Sequence, residues 1–167
     1  MLALCDPVTG HSSRDYASIS HSGSLRQVDV VPFEAWHLDW LNLQETQQML
    51  ASSLTPAYGR SLQQAGPCYS AFVGSQVIAC AGIVEIWTGR AQAWSLLSDQ
   101  MPQYRKTIHR AVQQFLAGYR VRRLECIVDP RSAAAVRWAR HLGFKYESTM
   151  RRYTPGGEDQ FMMVREE

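Results

Sequence analysis

Residues 137–155 read RWARHLGFKYESTMRRYTP, and this stretch decides the fold. Its first half has helical spacing and stops at Gly143, the residue type that best tolerates the left-handed turn at a helix end. Phe144 follows at once, placed to enter a core as the chain reverses. The next residues, 145–153, read as a strand. Upstream, Ser132 is a candidate N-cap for a helix over 133–142, and Asp129-Pro130 closes a strand over 123–128 (RLECIV) with Leu124, Cys126 and Val128 on one face. Downstream, Pro155-Gly156-Gly157 turns the chain into a last strand over 160–165.

Working outward, Tyr104, Ile108, Ala111, Val112, Phe115 and Leu116 share one face of a helix that starts near Pro102 and ends at Gly118. Before it come three antiparallel strands, over 70–73, 76–84 and 91–97. The first two are joined by Gly74-Ser75, a two-residue turn in which glycine supplies a positive φ. Residues 25–31 (LRQVDVV) alternate as a strand, and Phe33, Trp36, Trp40 and Leu43 recur at helical spacing, with further helix expected to Leu54 and again over 58–64. Residues 1–24 are rich in Ser, Gly and His and read as an extended arm on a single domain spanning 25–167. The expected architecture is α+β (α/β): a mixed, mostly antiparallel central sheet of about six to seven strands flanked by helices.

Composition narrows the function classes. The chain has 167 residues, a net charge of +2 and 46% hydrophobic content, enough for one buried core and too little charge to argue for nucleic acid. The arginines at 120, 122, 123, 137, 140, 151 and 152 are spread over several elements, so nucleic acid is not expected as the main partner. The sequence contains no run of about eighteen apolar residues, so no membrane span is expected, and the first residues carry no basic start of a secretion signal. Four cysteines (Cys5, Cys68, Cys80, Cys126) lack metal-ligand spacing. Cys80 and Cys126 sit in apolar strand patterns and read as buried thiols.

The order of elements, with DPRSAAAVRWARHLGFKYESTMRRYTPGGEDQFMMVRE, resembles the GCN5-related N-acetyltransferase (GNAT) superfamily over residues 25–166. That resemblance implies acetyl-CoA as donor and a diphosphate held at the helix following the fourth strand. The family pattern there is Arg-Gly-x-Gly-x-Gly. Counted on without gaps from Pro102, this chain has RKTIHR, with Lys106, Ile108 and Arg110 at the glycine positions. Ala139 stands where the family often has the tyrosine that protonates the leaving thiolate. If the chain is an enzyme, Leu96, Leu97, Ser98, Arg105, Lys106 and Thr107 are the candidate carrier-binding residues. Glu85, His109 and Tyr146 are then the candidate acid-base groups.

The departures from the pattern also resemble GNAT-like proteins of tailed, short-tailed bacteriophages. That likeness implies a structural component of the virion at the portal, tail or internal ejection apparatus, without catalysis or cofactor. Its partners are then other virion proteins, met in an oligomeric assembly through the N-terminal arm and exposed aromatics. The alternative is an acetyl-CoA-dependent N-acetyltransferase, cytoplasmic, with a divergent carrier loop.

Overall fold

The computed structural model describes residues 27–166. The arm expected over 1–24 lies outside the described residues, as does Cys5. Seven strands form one sheet: β1 (Val28–Pro32), β2 (Cys68–Val73), β3 (Gln76–Trp87), β4 (Arg90–Leu97), β5 (Arg123–Val128), β6 (Lys145–Met150) and β7 (Gln160–Glu166). Their order is β1-β2-β3-β4-β5-β7-β6, and every neighbouring pair is antiparallel except β4 with β5. Three α-helices, α1 (Pro56–Ala65), α2 (Arg105–Gly118) and α3 (Ala133–His141), pack on this sheet. The expected mixed sheet flanked by helices is the one observed.

The junction that opened the sequence reading behaves as local chemistry dictates. Ser132 Oγ accepts the Ala135 N–H at 3.2 Å and caps α3. Gly143 takes φ +91, the Phe144 N–H returns to the Ala139 carbonyl at 3.1 Å, and Phe144 packs with Leu124 and Met163. At the β2–β3 turn Gly74 takes φ +60.

The two faces of the sheet have separate cores. Phe33, Leu38, Leu41, Leu43 and Leu62 cover Cys80 and Leu96 on one face. On the other, α2 and α3 cover Ile83, Ala91 and Leu124, and Ile108 of α2 packs beside Ile78 and Leu97. A bulge at Ile78 breaks the register between β2 and β3, so Ile78 and Ala79 face α2 while Val77 and Cys80 face the other side. Burial pushes the Cys80 thiol up to about 11 and the Cys126 thiol up to about 12, which keeps both protonated and inert.

The connection from β1 to α1 departs from expectation. It is two 3-10 segments, Ala35–Trp40 and Glu45–Ser53, rather than α-helix. The tighter three-residue winding changes which side chains share a face. His37 and Leu38 are buried, whereas Trp40 is 58% exposed and Trp36 is also exposed. The two indoles meet edge to face at 5.1 Å. His37 Nδ1 accepts the Glu34 N–H at 3.0 Å, so its proton sits on Nε2, and Ser70 Oγ lies 2.9 Å from the same nitrogen and donates to it. Burial pushes the His37 pKa down, and the ring is a neutral core group. No helix among the described residues is long and apolar enough to cross a membrane.

Candidate active site

Strands β4 and β5 run parallel and paired from Arg90–Arg123 to Ala93–Cys126. There the pairing stops, although β4 continues to Leu97 and β5 to Val128. The sheet therefore opens as a V between its fourth and fifth strands. The Ser98 N–H donates to the Ile78 carbonyl at 2.9 Å, so by antiparallel alternation Leu96 turns its main-chain groups toward β3. Ser95 and Leu97 turn theirs into the V, where no strand meets them among the described residues.

A network of charges pins the closed end. Glu125, 2% exposed, accepts two bonds from Arg90 at 2.7 and 2.9 Å and one from Arg123 Nε. Arg123 also reaches both oxygens of Glu147 at 2.8 and 2.6 Å. The Arg90 guanidinium, ahead of that of Arg123, holds the Glu125 carboxyl below its ordinary pKa against the opposing effect of burial. Arg90 and Arg123 are register partners across the parallel pair, so this clamp sits at the base of the V.

At the open end the crossing segment covers β4. Leu43 bridges Ser98, the Gln44 N–H donates to the Leu97 carbonyl at 2.9 Å, and Asn42 Nδ2 donates to Asp99 at 3.0 Å. Gln47 then reaches into the V. Its Nε2 donates to the Ser95 carbonyl at 2.9 Å, and its Oε1 accepts the Leu97 N–H at 2.8 Å. Between this segment and the end of β5 lies a cleft of about 320 Å³ lined by Glu45, Thr46, Met49, Asp129, Arg131, Ser132 and Glu158. Its three carboxylates outnumber its one arginine. Arg131 pairs with Asp129 at 2.8 Å and holds that carboxyl below its ordinary pKa, while the Thr154 hydroxyl donates to Glu158.

The six residues expected to bind a carrier come together at this open end. Leu96 and Leu97 bury their side chains on opposite faces of the sheet. Buried Ser98 accepts the Gln100 N–H on Oγ at 3.2 Å, and Arg105, Lys106 and Thr107 are the exposed first turn of α2. A 3-10 turn, Met101–Tyr104, precedes them, so α2 begins later than Pro102. Ile108 is 4% exposed and points into the core against the sheet. Of the three residues at the family's glycine positions, Ile108 is thus buried, while Lys106 and Arg110 are exposed. Ala139 is likewise buried between α3 and the sheet and offers no donor.

The three acid-base candidates are not brought together. Glu85 pairs with Ala91 near the closed end and accepts from the Tyr119 hydroxyl at 3.0 Å. Burial and that carboxylate push the Tyr119 pKa up to about 12. His109 lies on α2, its Nδ1 accepting the Trp138 indole N–H at 3.1 Å. Tyr146 is on the edge strand β6, bonded to Thr149 at 2.9 Å. The sequence reading passed over Gln47, Glu45 and Glu158, because isolated polar residues in polar segments carry no periodic signal. It also passed over the Trp94 indole N–H on the splayed half of β4, which is buried with no hydrogen-bond partner among the described residues.

No protein-family model and no curated protein matches the sequence. Solved structures do match the fold. Ard1 from Thermoplasma volcanium superposes with a TM-score of 0.69 at 12% identity, covering 83% of this chain and 97% of its own. An IAA acetyltransferase from Bacillus cereus gives 0.62 at 15% identity, covering 84% and 100%. A ribosomal-protein-S5-alanine acetyltransferase from Vibrio fischeri gives 0.62 at 12%, covering 88% and 97%. The fold is that of the GNAT acetyltransferases. The expectation of a non-catalytic phage virion component is thereby overturned: the solved structures sharing this fold are acetyltransferases.

Proposed function

We propose that the chain is an acetyl-CoA-dependent acetyltransferase acting on an amine. One observation carries this reading: β4–β5 pairing ends at Ala93–Cys126 and leaves the Ser95 and Leu97 main chain facing a gap within the sheet. A sheet edge of this kind accepts an extended, amide-bearing ligand as it would a strand, and the pantetheine arm of coenzyme A has two secondary amides. The Gln47 carboxamide bonds both edge groups; a trans secondary amide, whose N–H and C=O point opposite ways, would take one of them, so the two amides of the arm together suit the edge.

The surroundings are consistent in charge. Helix α2 opens on Arg105 and Lys106 with no acidic residue in its first turn. Cations at a helix N-terminus oppose the helix dipole, and a diphosphate seated there relieves both at once. The buried, unpaired Trp94 indole N–H suits a ligand carbonyl. Across the V, the acidic cleft attracts an ammonium acceptor, and its carboxylates offer a place for the proton the amine gives up before attack. Bound coenzyme A supplies the activated thioester. The chain's own contribution is to align amine and acyl carbon and to hold charge at both ends of the site.

Calorimetric titration with coenzyme A and acetyl-CoA tests the reading, followed by thiol release with a panel of small and peptidyl amines. Micromolar binding and amine-dependent thiol release are expected; absence of binding refutes the reading. The double substitution Arg105→Glu with Lys106→Glu is expected to weaken coenzyme A binding by at least about tenfold at low salt. It should leave a pantetheine fragment without the diphosphate unaffected.

A further inference from the structure

The open edge of β4 is occupied by the protein itself. Gln47 presents a primary carboxamide whose N–H donates to the Ser95 carbonyl at 2.9 Å and whose oxygen accepts the Leu97 N–H at 2.8 Å. Those are the two contacts that one residue of an added parallel strand would make through its own N–H and C=O. The neighbouring Gln44 N–H takes the Leu97 carbonyl at 2.9 Å, so the edge is satisfied over this length. From this the geometry points to Gln47, on the 3-10 segment Glu45–Ser53, as an internal competitor that must leave β4 before an amide-bearing ligand can pair with it. This inference rests on the acetyl-CoA reading, because the ligand it competes with is the carrier arm.

The construction of the segment supports displacement. None of its residues is buried, and short 3-10 turns have weaker hydrogen-bond geometry than α-helix. It is held on its N-terminal side by Leu43, buried in the core, and by the Asn42–Asp99 bond. Gln47 can therefore swing away while these anchors stay. Glu45, Thr46 and Met49 of the same segment wall the acidic cleft. Releasing Gln47 thus reshapes the acceptor side as the donor arm enters, so the two sites are coupled through one short segment.

The test compares coenzyme A binding by calorimetry in the full chain, Gln47→Ala and Gln47→Met, with a thermal melt of each to establish folding. Methionine keeps the side-chain length and removes the amide. Both variants are expected to bind about tenfold tighter than the unaltered chain, since two competing hydrogen bonds are gone. Hydrogen exchange at the Leu97 amide should be slow in the unaltered chain, fast in either variant, and slow again once coenzyme A is added. Equal or weaker binding in both folded variants overturns the competition while leaving the acetyltransferase reading in place. No binding of coenzyme A to any of the three proteins overturns both.

Discussion

Glu125→Ala is expected to lower the unfolding free energy by about 3 kcal/mol, measured by urea denaturation. Glu125 is the buried member of the clamp at the base of the V, with the side chains of Arg90 and Arg123 32% and 28% exposed around it. Removing the carboxylate strips Arg90 of its carboxylate partner and leaves Arg123 with Glu147, so two cations face each other across the β4–β5 register, a change that ordinarily costs several kcal/mol when the stranded charge is buried. The arginines' partial access to water places the expectation at the lower end of that range. Glu125→Gln should fall between alanine and the unaltered chain, because an amide keeps some acceptor capacity without the charge. The clamp also sets a pH dependence. The folded-state pKa of Glu125 lies below its ordinary 4.5. Its contribution is therefore complete above about pH 4.5 and is lost as pH falls through the lower folded value. Glu147 shifts in the same direction through Arg123. Denaturation curves between pH 3 and 6 should be less pH-sensitive for Glu125→Gln than for the unaltered chain.

Gly66→Ala is expected to cost about 3 kcal/mol or to prevent folding, read by thermal unfolding and by yield of folded protein. A Cβ at Gly66 would sit 2.3 Å from the Ile83 carbonyl oxygen. That atom is main chain of β3, locked between two strands, and cannot swing aside as a flexible side chain would. Gly82→Ala meets a related obstacle, with Cys68 Cβ at 2.4 Å and the Pro67 carbonyl oxygen at 2.8 Å. Gly118, the last residue of α2, has open space around it, and Gly118→Ala is expected to stabilise by about 0.5 kcal/mol through helix propensity. A substantial loss at Gly118 or none at Gly66 would contradict this steric account.

These contrasts also separate what the sequence discloses from what it withholds. The β5–α3–β6 passage was legible because each step is local: Ser132 caps, Gly143 turns, Phe144 is apolar at the reversal. The 3-10 segments were not, since Trp36 and Trp40 recur at a spacing that suits an α-helix face, and only packing decides that His37 and Leu38 are buried instead. The apolar spacing did place Ile108 on the buried face of α2, but the start near Pro102 passed over the 3-10 turn Met101–Tyr104 that precedes the helix. The V itself depends on where two distant strands cease to pair, and nothing in AQAWSLL or RLECIV marks Ala93 and Cys126 as the last partners. Glu85 was recognisable as a carboxylate near a strand end, but which end of the sheet carries the chemistry is a property of topology.

The lodging of Gln47 against β4 has a consequence for how the protein behaves at high concentration. A gap inside a sheet is a row of unsatisfied peptide groups, the kind of surface on which foreign chains zip up and aggregates begin. With a carboxamide seated on that row, the Ser95 carbonyl and the Leu97 N–H are withheld from neighbouring chains while the site is empty.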